Sequence, residues 1–280
     1  MHIPRPDRPR WWQWPTILSL DAPVILLAWQ ALAAHATGVP LGWAPRVVLA
    51  VSVWLAYMAD RWIEAWRLPA SAVATPRHRF HQRWRWPIAT VAAAAFVADI
   101  VTAVVALDAD DVIAGLWLAL AAGAYVVSHQ WLHRHAPWRA PKELVIALLL
   151  AAGVWLFVRA GTPAVLWPTL GLFALLCLTN TSLISRWEIE IDRRQGQSSL
   201  ALGSGRARRW ITGLPWVTAL TAVVVAGTGG PSAQIVGACA LASALILGAV
   251  DLVEPRIDWP LARVCSDAAL LTPIVALVLT

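Results

Sequence analysis

The chain has 280 residues, of which 59% are hydrophobic and only 14% charged, with a formal net charge of +6. Its mean hydropathy is +0.62. A soluble globular domain carries about 25% charged residues, so this composition excludes a soluble enzyme, a disordered chain and a secreted disulfide scaffold. A bilayer core is crossed by a helix of about 20 apolar residues, and the length accommodates roughly nine such spans. The expectation is an all-α integral membrane protein, one polytopic domain over residues 1–280.

In chain order, residues 1–15 bring Arg5, Arg8 and Arg10 together with Trp11, Trp12, Trp14 and four prolines, and read as a cytoplasmic lead-in with an interfacial aromatic belt. The apolar pattern then predicts nine transmembrane helices, at 16–37, 45–66, 87–107, 111–132, 142–160, 165–187, 208–227, 232–250 and 260–280. Gly38-Val39-Pro40, Gly161-Thr162-Pro163 and Thr228-Gly229-Gly230-Pro231 mark breaks between them. With the N-terminus cytoplasmic, all basic residues except Arg46 and Arg159 fall on the cytoplasmic side or its helix ends, while Asp108, Asp110 and Asp111 fall opposite. Positive-inside sorting therefore predicts N-in and C-out, in a membrane such as the bacterial inner membrane. That sorting also accounts for the basic charge without nucleic acid. Cys177, Cys239 and Cys265 lie within apolar stretches and lack C-x-x-C spacing, as buried free thiols do.

Two long cytoplasmic connections, after the second and sixth predicted helices, carry most of the polar chemistry. The second helix ends with Asp60 and Glu64, and the sixth is followed by Glu188 and Asp192. Spacing of i,i+4 sets each pair on one helix face, about 5–6 Å apart, where like charges repel unless a cation lies between them. Hard carboxylate oxygens facing each other from two helices suit Mg²⁺, which bridges carboxylates to phosphates. The plainer reading is surface charge paired with Arg61, Arg67, Arg193 and Arg194.

The run Leu55 to Ala65, with Asp60 and Glu64, resembles the first aspartate-rich motif of the UbiA-type intramembrane prenyltransferases, N-D-x-x-D-x-x-x-D. Glu188-x-x-x-Asp192-Arg193-Arg194-Gln195-Gly196-Gln197-Ser198-Ser199-Leu200 is similar to the second, D-x-x-x-D-R-x-x-G-x-x-T-L. Lys142-Glu143-Leu144 at the start of the fifth helix also resembles that family. Ala56 and Tyr57 stand where the family has Asn and Asp, and Glu64 and Glu188 where it has aspartates.

The resemblance implies a UbiA-like bundle around a cytoplasm-facing cavity. It implies that Asp60, Glu64, Glu188 and Asp192 hold Mg²⁺ and an isoprenyl diphosphate whose prenyl group passes to a lipophilic or aromatic acceptor. Lys142 and the loop arginines Arg77, Arg79 and Arg193 would then neutralise the leaving group. Tyr57 would offer a hydroxyl to the same cavity, in a half-site binding at most one metal ion. Asp21 and Asn180 would line that cavity too; otherwise Asp21 caps a helix at the interface and Asn180 bonds a neighbouring helix. The alternatives are a non-catalytic lipid-binding or assembly protein on the same fold, and a terpene cyclase of the UbiA type. A small-solute transporter, prompted by Asp21, Asp99 and Asp267, is a third.

The remaining polar groups read structurally. Asp99 and Asp267 suit hydrogen bonds or ion pairs, Asp267 lying one turn from Arg263. His129, His133 and His135 form an interfacial cluster, with Gln130 where a zinc-protease motif needs Glu. The cationic and aromatic stretch Thr75 to Trp86 also suits anionic membrane lipids.

Overall fold

The computed structural model describes residues 9–67, 75–129, 141–160, 163–195 and 199–279. Among them there is no strand. The helices are α1 (Trp14–Ile17), α2 (Asp21–Thr37), α3 (Trp43–Arg67), α4 (Pro76–Arg83), α5 (Arg85–Ala106), α6 (Ala109–Val127) and α7 (Lys142–Leu156). They continue as α8 (Pro163–Trp187), α9 (Ile189–Gln195), α10 (Leu200–Gly203), α11 (Gly205–Thr228), α12 (Gly230–Val253), α13 (Trp259–Ala269) and α14 (Thr272–Leu279). Among the described residues, helical structure lies over part of each predicted segment. Among the described residues, six segments are long and apolar enough to cross a membrane, or seven if the bent stretches Trp11–Ile17 and Asp21–Thr37 count as one. This is an integral membrane protein. α3 carries charges from Arg46 to Arg67, and α7 has only 15 residues.

The first predicted helix is a correction. It is not continuous: α1 and α2 meet at 75°, with Ser19 at φ +58° in the break. Arg61 of α3 accounts for the bend. Its guanidinium is buried and donates to the Thr16 carbonyl at 2.5 Å and to Ser19 Oγ, satisfying groups that the missing helical turn leaves open. Asp21 thereby becomes the first residue of α2 rather than one a turn inside a longer helix.

The core forms where α2, α7, α8, α11 and α12 meet. Trp29 stacks on Phe173, with ring centroids 4.6 Å apart, and its indole N–H donates to the Leu270 carbonyl at 2.8 Å, where α13 gives way to α14. Small residues let the helices approach closely in place of a hydrophobic drive that lipid does not supply. A Cβ on Gly237 of α12 would lie 2.8 Å from the Ala222 carbonyl oxygen of α11. α6 has no buried residue and α5 only Asp99, as expected of faces turned to lipid, and Asp99 accepts from Ser52 Oγ of α3 at 2.7 Å. The three cysteines are free thiols, Cys177 and Cys239 buried. His133 and His135 lie outside the described residues, as do Gly196 to Ser198 of the second motif.

Candidate functional site

A cavity of about 170 Å³ lies between α2, α3, α7, α8, α9 and α13. Asp60 and Glu64 reach its wall from α3, Glu188 from the break between α8 and α9, and Asp192 from α9. The α8–α9 break does not disturb the second pair, because the Asp192 N–H still donates to the Glu188 carbonyl at 3.0 Å, preserving one helical turn. Asp21, Tyr57, Arg77, Lys142 and Asn180 line the same cavity. Arg79 and Arg193 are not on its wall. Arg193 is exposed and donates to Glu190 at 2.8 Å, so its guanidinium is turned to the surface.

Sequence reasoning did not anticipate how the acids are compensated. The expectation is Mg²⁺ between the acids, or pairing with the neighbouring Arg61, Arg67, Arg193 and Arg194, but cations from distant helices meet them. Lys142 Nζ lies 3.2 Å from both Asp192 oxygens, and Arg263 donates to Glu188 at 2.5 Å. His78 Nε2 lies 3.7 Å from Glu64. Burial pushes the Asp192 carboxyl upward, and Lys142 opposes that shift. Glu143, beside Lys142 in the quoted motif, is buried and accepts from the Leu200 N–H at 3.1 Å, tying the second-motif loop to α7. Arg61, Arg263 and Asp267 are further wall residues not assigned to the site from sequence. The i,i+4 relation of Arg263 and Asp267 is the one signal that could have found two of them.

The wall holds seven carboxylates against four lysine and arginine side chains. Hard oxygen donors with an excess of negative charge fit a hard divalent cation. Among the described residues no group of three His, Cys, Asp or Glu is arranged to hold a metal ion alone. Mg²⁺ is commonly held by one or two carboxylates with water and phosphate oxygens completing its shell, and the carboxylate oxygens of this wall are donors of that kind.

The search of solved structures finds a UbiA homolog from Aeropyrum pernix K1, solved in its apo state, with a TM-score of 0.59 over 93% of this chain and 98% of that one. The two sequences are 14% identical. The chain has the UbiA fold. No protein-family model matches the sequence, and no curated protein is significantly similar to it. The likeness thus resides in how the helices are arranged, and the UbiA-type bundle brings both acid pairs to one cavity.

α4 closes one side of this region and carries a pH dependence. His81 is buried, and its Nε2–H donates to the Ile17 carbonyl at 3.1 Å, while Nδ1 has no partner among the described residues. Burial, reinforced by the Arg61 charge, lowers its pKa to about 4. The unfolded chain, with histidine near 6.5, binds this proton more readily than the folded one does. The stabilisation is complete above about pH 6.5 and is lost as pH falls from there toward about 4. Thermal unfolding should show a drop in Tm between pH 7 and 5 that shrinks in His81→Gln. An equal drop in both proteins would assign the loss to other groups.

Proposed function

We propose that this protein is a membrane prenyltransferase-like enzyme that binds an isoprenyl diphosphate in the UbiA-type cavity and passes the prenyl group to a lipophilic acceptor. The observation that carries this reading is the convergence of Asp60, Glu64, Glu188 and Asp192 on one wall with Lys142, Arg77 and Arg263. Asp60 and Glu64 on one side, with Glu188 and Asp192 on the other, would hold Mg²⁺. When bound, the ion supplies charge stabilisation to the diphosphate. Negative charge grows on the diphosphate as the carbon–oxygen bond ionises, and Lys142, Arg77 and Arg263 are preorganised cations for it. Ile146, Leu150, Ile184 and Leu270 supply apolar wall against which a hydrocarbon tail can lie.

Binding of geranyl diphosphate to the purified full chain, with Mg²⁺ and with EDTA, tests this function. The expected result is saturable binding that needs the ion. Absence of binding in both conditions would overturn it. Binding that is indifferent to Mg²⁺ favours a second reading, a non-catalytic lipid-binding protein on the same fold. The specific observation behind that reading is that Lys142 and Arg263 already neutralise Asp192 and Glu188, while Ala56 and Tyr57 stand where the family has Asn and Asp.

The proposal includes a nine-span topology with a cytoplasmic N-terminus and a C-terminus on the opposite side, supported by the arginine distribution. Single cysteines introduced at exposed Arg83 and Arg206, in a background lacking the three native ones, should both label from the cytoplasm. Labelling from opposite faces would overturn the orientation and the shared cavity together.

A further inference from the structure

Beside the acid–cation end of the cavity lies a group of side chains offering mainly hydrogen-bond acceptors. Asn180 of α8 is only 6% exposed and lines the cavity. Its Nδ2 donates to Asp267 Oδ1 of α13 at 3.1 Å. That bond sets the amide's orientation, because the opposite flip would bring two oxygen acceptors together. Asn180 Oδ1 is consequently left buried with no partner among the described residues. Asp21, from the first turn of α2, lines the same cavity, with one oxygen on the Ala22 N–H at 3.0 Å. The wall around them also includes Ile25, Leu26, Cys177 and Leu270.

A buried oxygen without a donor costs free energy that a ligand supplying an N–H or O–H can recover. A cationic ligand would meet the guanidinium groups of Arg61 and Arg263, which line the same cavity. An anion would meet the Asp21 and Asp267 carboxylates. A neutral hydroxyl on an apolar body suffers neither repulsion, and the aliphatic wall accommodates its remainder.

We propose that Asn180, flanked by Asp21 and Asp267, is a subsite for the hydroxyl of a neutral, lipophilic acceptor. It receives the O–H on Asn180 Oδ1 and is separate from the residues proposed for the diphosphate. The assignment rests on the prenyl-transfer reading for the word acceptor, whereas the hydroxyl recognition itself does not.

The test uses the full chain in detergent micelles and calorimetric binding of 4-propylphenol and 1-fluoro-4-propylbenzene, each corrected for empty micelles. The two are similar in shape, and only the first has a hydrogen to donate. The phenol should bind about tenfold more tightly, the worth of one hydrogen bond to a buried acceptor. Asn180→Leu should bring the two affinities together, and Asn180→Ala, which adds no bulk, serves the same purpose if the leucine variant does not fold. Equal affinities in the unsubstituted protein, or a preference that survives loss of the amide, would overturn the subsite. Preference for the phenol in a protein that binds no geranyl diphosphate would uphold the subsite and overturn prenyl transfer. Diphosphate binding without that preference would do the reverse.

Discussion

Replacing Lys142 with methionine is expected to destabilise the folded protein by about 3–5 kcal/mol, the usual cost of removing one partner from a buried ion pair. The Lys142 and Asp192 side chains are 14% and 7% exposed, and the ammonium faces both carboxylate oxygens. With the ammonium gone, Asp192 retains its desolvation without the opposing charge and must either take up a proton or draw in water. Denaturation in detergent would read the loss. Adding Asp192→Asn to the methionine variant should recover most of it, because the unpaired charge, rather than the missing contact, carries the cost. A single variant as stable as the parent would show that water already screens the pair, and the cavity would then be wetter than its lining implies.

The second large effect separates binding from folding. Asp60→Asn and Glu188→Gln should each lower Mg²⁺-dependent affinity for geranyl diphosphate by at least about 100-fold, since even outer-shell substitutions at metal sites cost 10–100-fold. Asp60→Asn removes the charge of the side chain while keeping its size and one oxygen acceptor. Glu188→Gln takes the charge away from Arg263, which donates to it at 2.5 Å, and should lower Tm as well. Relief of repulsion does not govern the second pair, because its cations are already in place. Unaltered Mg²⁺-dependent binding in Asp60→Asn would remove α3 from the metal site. Unaltered binding in both would overturn the ion's assignment to these acids.

The sequence by itself determined that the protein lives in a membrane. Its low charge and long apolar runs leave no soluble alternative, and Pro and Gly mark breaks between helices, as at Gly38 and Gly229. Periodicity also determined that Asp60 shares a helix face with Glu64, and Glu188 with Asp192, since four residues make about one turn whatever surrounds them. The motif resemblance pointed to the UbiA arrangement because acids and glycines at set spacings are local features.

Only the tertiary structure decided which charges meet. Lys142 finds Asp192 across α7 and α9, Arg263 finds Glu188 from α13, and Asn180 meets Asp267. Each contact depends on how helices far apart in sequence cross, and no local spacing encodes that. The break at Ser19 was hidden for the same reason. An apolar run reads as one continuous helix until a buried guanidinium from α3 supplies the hydrogen bonds that make a bend cheap. Arg193 shows the converse. Its motif position predicts a site residue, but on a short helix at the surface its nearest acid is Glu190, one turn away, and the guanidinium stays in water where a charge is least costly.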